Sequence, residues 1–159
     1  DDDGTAESLV NEALDNAEEG NRELRELARG ILPAALTRGG LTAGVDAFVA
    51  RLNLPVRVDV PDDRLPAEIE ASAYFIVAEA LTNAVKHSRA DRAEVKASLK
   101  DTMLYIEVRD NGAGGVNPEG GGLVGMRDRV TTFGGRLEIE SSPSSGTLIA
   151  ATLPISTGS

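Results

Sequence analysis

A predicted helix carries four polar side chains whose types suit a metal ion bound to phosphate. Asn83 lies four residues from both Glu79 and His87 and three residues from Lys86, so the four heads meet on adjoining turns of a helix. Mg²⁺ takes oxygen ligands and often shares its coordination shell with substrate phosphates. A carboxylate, a carboxamide and a cation together therefore suit a magnesium–phosphate ligand. An ordinary solvated helix face with mixed Glu and Lys residues fits the same pattern.

An Asp-Asn-Gly sequence directly after a predicted strand could recognise a base. Asp110 ends the strand, and Gly112 and Gly114 follow in the loop. A carboxylate can accept a hydrogen bond from the exocyclic amino group of adenine, and glycines let a backbone approach a flat ring closely. The alternative is a simple turn, because Asp-Asn-Gly is common in turns.

A second glycine-rich stretch leads directly into a predicted helix and could bind an anion. Unpaired N–H groups at a helix N-terminus form an anion site, and glycines give a loop the mobility of a lid. A flexible linker is the alternative, but linkers rarely run straight into a helix with an apolar face. The stretch contains Gly120, Gly121, Gly122, Leu123, Gly125 and Met126.

The elements around these residues predict an α+β fold, a two-layer α/β sandwich. The main helix is predicted over 66–87, with Tyr74, Val77, Ala78, Leu81, Ala84 and Val85 on its core face. Short turns between strands predict a mostly antiparallel sheet with the helices on one face. Helices are also predicted over 41–52 and 123–133, and strands over 56–60, 93–99, 104–108, 136–140 and 147–153.

The first 38 residues are predicted to form a separate helical segment, followed by a domain over 39–159. Apolar residues from Ala6 to Ile31 are spaced alternately four and three apart, which fits a coiled-coil seam or an amphipathic surface helix. Pro33 ends this helix, and Gly39-Gly40 marks a break.

Composition narrows the partners and the compartment. The net charge of −10 argues against nucleic acid or an anionic membrane as the main partner. The chain has no cysteine, which excludes disulfides and thiolate metal sites and suits a reducing cytoplasm. No apolar run approaches the roughly 20 residues that span a bilayer, and the N-terminal sequence has no signal-peptide pattern.

The order and spacing of these motifs resemble the Bergerat ATPase fold shared by gyrase, Hsp90, histidine kinases and MutL. Residues 79–87 look like the N box of that fold, Asp110-x-Gly112-x-Gly114 looks like its G1 box, and residues 120–126 look like its G2 box. The resemblance covers roughly residues 41–154.

Within that superfamily, the residues after Asn83 are similar to those of histidine kinases. The Lys-His pair at 86–87 stands close to where relatives of gyrase, Hsp90 and MutL carry an acidic residue. Residues 125–130 and 23–33 resemble the nitrate-sensor and DesK-like kinase subfamily. That resemblance implies that residues 1–38 are a helical remnant of the dimerisation region.

The resemblance also implies roles in binding ATP. Asp110 would fix the adenine with Thr147 beneath the ring, and Asn83 would bind Mg²⁺. Lys86 and His87 would contact phosphate oxygens. The backbone of residues 120–125 would close over the phosphates. Glu79 is the candidate catalytic residue: its position activates water in ATP-hydrolysing relatives, and in a kinase it would orient either Mg²⁺ or the incoming histidine.

The subfamily carries its phosphoacceptor histidine upstream, on the first dimerisation helix, whereas the single histidine here is His87. We therefore expect a cytoplasmic catalytic fragment that binds ATP and does not phosphorylate itself. Its partners would be its own dimerisation domain in a homodimeric kinase and a response regulator, and not nucleic acid. The alternatives are a serine kinase of the anti-sigma-factor type and a nucleotide-binding module without transfer activity.

Overall fold

The computed structural model describes residues 33–117 and 120–155. The predicted N-terminal helix over residues 1–32 lies outside the described residues, so the boundary between 1–38 and 39–159 stays a prediction. From Pro33 onward the chain belongs to one compact unit. No helix in these two described ranges is long and apolar enough to cross a membrane.

The described residues form three helices and five strands, and every strand predicted from the sequence is present. In chain order the elements are α1 (Ala34–Ala50), β1 (Val56–Asp59), α2 (Ala67–Lys86), β2 (Ala93–Lys100), β3 (Met103–Asp110), α3 (Gly121–Thr132), β4 (Arg136–Ser142) and β5 (Gly146–Pro154).

The strands form one mixed sheet in the order β1-β2-β3-β5-β4. β1 runs parallel to β2, and the other neighbouring strands are antiparallel. One face buries Val95, Ile106 and Ile149 beneath the helices, while the residues between them are more exposed. The predicted α+β sandwich with a mostly antiparallel sheet is confirmed.

Helix α2 lies at the centre of the core and is buried on more than one side. Every residue from 72 to 81 is buried, because α2 has neighbours in the sheet and in both other helices. Phe48 of α1 packs edge-on against Tyr74, with ring centroids 6.1 Å apart. The prediction for Val85 is wrong: its side chain is 39% exposed, although Ala84 in the same last turn is fully buried.

Helix α1 begins earlier than predicted and is kinked at Gly40, where φ is +85°. The Arg64 guanidinium donates to the carbonyls of Thr37 and Arg38 just before the kink, at 3.2 and 3.1 Å. The same guanidinium contacts the buried carboxylate of Glu70 through two 3.2 Å hydrogen bonds. A side chain from outside the helix therefore supports the break that the two glycines predicted.

Candidate functional site

The four polar residues of α2 lie in different environments. Asn83 and Lys86 are half-buried and His87 is exposed, but Glu79 is only 8% exposed. The Glu79 carboxylate lies under the first turn of α3, where a Cβ on Gly122 would be 2.5 Å from its Oε2 atom. The alternative of an ordinary solvated helix face does not hold at Glu79, because α3 covers this part of α2.

A cavity of about 360 Å³ lies where α2 ends, the glycine loop passes and α3 begins. Among the predicted site residues, it brings together Asn83, His87, Gly114, Gly120, Gly122 and Leu123. Its lining does not include Glu79, Lys86, Asp110, Gly112, Gly125, Met126 or Thr147. The cavity joins three motifs that are far apart in the sequence.

Asp110 and Thr147 lie side by side at one end of the sheet. They are partners in the β3–β5 register, and both are buried, with 7% and 4% of their surface exposed. Asp110 Oδ1 accepts a hydrogen bond from the Gly112 N–H at 2.8 Å. In the part of the chain that the structure describes, Asp110 Oδ2 accepts no hydrogen bond, so one carboxylate oxygen is available to a ligand.

Two glycines of the loop after β3 lie in close contact with backbone atoms of other segments. A Cβ on Gly112 would overlap the carbonyl of Ser88, and a Cβ on Gly114 would overlap the carbonyl of Ser142. Gly114 also has a φ of +71°, which side chains rarely tolerate. These glycines therefore fix the loop between the end of α2 and the β4–β5 turn.

Ser88 is a site residue that the sequence did not reveal. It lines the same cavity and is 1% exposed, yet its Oγ atom has no hydrogen-bond partner among the described residues. Its N–H donates to the Asn83 carbonyl at 3.1 Å, and its carbonyl accepts from the Ala113 N–H at 2.8 Å. Buried hydroxyls are normally paired, so this one suits a ligand with a polar group. Its position directly after the Lys-His pair could have marked it as a candidate, but the sequence does not show that its hydroxyl is buried.

Helix α3 is anchored by apolar residues and by one cation–π contact. Leu123, Met126 and Val130 are buried, so Met126 can act on a ligand only by positioning the helix. The Arg129 guanidinium stacks 4.3 Å from the centre of the Phe75 ring on α2, and burial lowers the pKa of Arg129. Gly125 lies near the edge of the same ring. These contacts hold α3 against α2, and Gly122 in the first turn of α3 lies above Glu79.

The oxygen atoms that the protein offers at the cavity fit a metal ion whose other ligands are water and the phosphates of a bound molecule. The described segments contain no group of three or more His, Cys, Asp or Glu side chains that could hold a metal. Asn83 lines the cavity and offers one carboxamide oxygen. Mg²⁺ suits such a site, because it keeps several waters and takes oxygen atoms from substrate phosphates.

Comparison with known proteins relates this arrangement to one ATPase family. Residues 68–157 match the family described as histidine kinase-, DNA gyrase B- and HSP90-like ATPase. The chain is 31% identical over 147 residues to the sensor histidine kinase LiaS of Bacillus subtilis, covering 87% of this chain and 41% of that protein. It is 30% identical to the oxygen sensor histidine kinase NreB of Staphylococcus carnosus over 144 residues, 84% of this chain and 42% of that one.

A solved structure gives the same relationship. The histidine kinase domain of the blue-light activated kinase EL346 from Erythrobacter litoralis matches with a TM-score of 0.62 and 25% identity, over 73% of this chain and 59% of that one. The chain spans about two fifths of the length of the two curated relatives.

Proposed function

This chain belongs to the histidine kinase-, DNA gyrase B- and HSP90-like ATPase family, and on that premise we propose that it is the Mg-ATP-binding catalytic domain of a sensor histidine kinase. The observation that carries the proposal is the cavity in which Asn83 and His87 meet the glycine loop and the first turn of α3. The cavity offers what a nucleoside triphosphate needs, which is oxygen ligands for a metal ion and backbone N–H groups at the start of a helix.

The adenine is proposed to bind at Asp110. Oδ2 of this carboxylate would accept the adenine amino group, while Oδ1 stays bonded to the Gly112 N–H. Thr147 would lie beneath the ring, since its backbone pairs with that of Asp110. Its Oγ1 atom is 3.0 Å from Ser141 Oγ. Burial of both residues keeps water from competing for the same oxygen.

The phosphates are proposed to lie toward α3. The backbone N–H groups of residues 120–125 would close over them, and Lys86 and His87 would contact their oxygens. When bound, Mg²⁺ neutralises charge on the phosphates, and Asn83 would hold it by its carboxamide oxygen. Glu79, beneath Gly122, would orient either that ion or the incoming histidine.

The γ-phosphoryl group is proposed to pass to a histidine on a dimerisation helix and then to a response regulator. The intact kinase would be a homodimer with this domain in the cytoplasm. Incubation with radiolabelled ATP tests the acceptor: the isolated chain should gain no label. Acid-labile label on His87 would contradict this assignment, and phosphoserine on an added partner would favour the serine-kinase alternative.

A calorimetric titration with a non-hydrolysable ATP analogue tests the nucleotide site. Binding of roughly −5 to −8 kcal/mol, stronger with Mg²⁺ than without, is expected for the wild-type chain. Asn83→Ala should bind the analogue with equal affinity in both conditions, because it removes the side-chain oxygen proposed for Mg²⁺. Asn53→Ala, a matched change at an exposed position, should keep the Mg²⁺ effect. Equal affinity of the wild-type chain for the analogue with and without Mg²⁺ would refute the role of Asn83.

Ser88→Ala separates a ligand contact from a structural role. Removing a hydroxyl that has no partner should leave the free energy of unfolding unchanged or slightly higher. Affinity for the analogue should fall between about two-fold and twelve-fold, the loss of one hydrogen bond of about 0.5–1.5 kcal/mol. Ser98→Ala on β2 is the matched control. A less stable Ser88→Ala protein with unchanged affinity would assign the hydroxyl to folding alone.

A further inference from the structure

A second cavity, of about 620 Å³, lies at the end of the sheet where β1 and β2 begin and β3 ends. Its polar lining residues are Arg57, Arg92, Arg109, Glu94, Asp110, Asn111 and Ser145. None of the three arginines belongs to the nucleotide motifs, and the proposed function gives them no role.

The backbone holds the three arginines in place around this cavity. Arg57 and Arg109 are the register partners of Glu94 on its two sides, so they extend from the same face of the sheet about 10 Å apart, two strand spacings. Arg92 precedes β2 in a turn that Asn111 fixes. The Asn111 Oδ1 atom accepts hydrogen bonds from the N–H groups of Asp91 and Arg92, at 2.9 and 3.0 Å.

The two carboxylates of this cavity, Glu94 and Asp110, offset only part of the positive charge of the three arginines. Glu94 is paired with Lys96 at 2.8 Å, and its pKa is lowered by that hydrogen bond and by attraction to Arg57 and Arg109. Within residues 33–117 and 120–155, no carboxylate lies within ion-pair distance of Arg57, Arg92 or Arg109. The chain has 26 acidic and 16 basic residues. Three arginines at one cavity therefore form a locally positive site on a chain whose net charge is negative.

We propose that this cavity binds a small multivalent oxyanion of the phosphate or carboxylate class, held by Arg57, Arg92 and Arg109. The planar guanidinium fork matches both kinds of anion bidentately, and three such groups favour a ligand with more than one negative charge. A volume of about 620 Å³ lies in the usual range for small-molecule sites. Its lining contains neither Asn83 nor any residue of α3, so it is separate from the proposed phosphate contacts. It does include Asp110 and therefore adjoins the proposed adenine contact.

Calorimetry of the whole chain with pyrophosphate, and separately with citrate, tests the proposal. The titrations are run without Mg²⁺ and with a saturating ATP analogue present, so that the nucleotide site is filled. Saturable binding of at least one of the two anions is expected, and the anion that binds identifies phosphate or carboxylate chemistry. Affinity should fall at least tenfold in Arg57→Gln and in Arg109→Gln, and it should be unchanged in Arg136→Gln. Arg136 is exposed on β4 and does not line the cavity.

Three results would overturn the site. Pyrophosphate that binds only without the analogue, with equal affinity in all variants, would be occupying the nucleotide site. Equal losses in Arg136→Gln and the two cavity variants would indicate a general charge effect. Binding of an oligoglutamate peptide but of neither small anion would make the surface a contact for an acidic protein. Urea unfolding of each variant confirms that the losses are not losses of fold.

Discussion

Asp110→Asn should lower the affinity for an ATP analogue roughly 10- to 150-fold, the loss of about 1.5–3 kcal/mol for one hydrogen bond to a charged group. The substitution is selective, because an asparagine Oδ1 can still accept from the Gly112 N–H at the position of the 2.8 Å bond. The second oxygen, Oδ2, is replaced by the carboxamide NH₂ group. This group is a donor and would face the amino group of adenine, which is also a donor. The loop should therefore persist while base recognition is lost.

Calorimetry with the analogue measures this effect, and a urea unfolding curve reports the fold. Asp101→Asn is the matched control, since Asp101 is exposed in the β2–β3 turn and has a φ of +57°, which asparagine tolerates. Its affinity should equal that of the wild-type chain. An Asp110→Asn protein that folds and binds the analogue normally would remove Asp110 from the adenine site and require another base-reading group.

Gly146→Ala should destabilise the domain by about 2–5 kcal/mol, the sum of a left-handed backbone conformation and an overpacked contact. Gly146 has a φ of +79°, and a Cβ there would overlap the carbonyl of Asp110. This glycine begins β5 and allows that strand to approach the end of β3, where Asp110 and Thr147 pair. The site should be displaced together with the strand.

Urea unfolding at a constant m-value measures the loss. Gly134→Ala is the control, because Gly134 has a similar φ of +73° but no atom within 4 Å of an added Cβ. It should lose only the backbone part, about 1–2 kcal/mol. Equal losses in the two variants would show that the contact with Asp110 costs nothing and that strand β5 can shift.

The sequence alone determined the elements and the order of the motifs. Alternating apolar residues predicted all five strands, because a strand buried on one face repeats every two residues. The three-to-four-residue spacing of apolar residues predicted α2 and α3, and Gly39-Gly40 marked the kink that the structure places at Gly40. These features depend on local periodicity and backbone freedom, which neighbouring residues carry.

Only the tertiary structure decided which side chains share an environment. Periodicity predicted one core face for α2, but α1, α3 and the sheet cover it from several sides, so Glu79 is buried. Val85, which was predicted on the core face, is 39% exposed. The unpaired Ser88 hydroxyl and the Arg64 contacts across the kink likewise depend on chain segments distant in sequence. The physical reason is that burial and hydrogen bonding depend on which distant segments pack against a residue. A local sequence pattern shows only which residues share one face of a helix or strand.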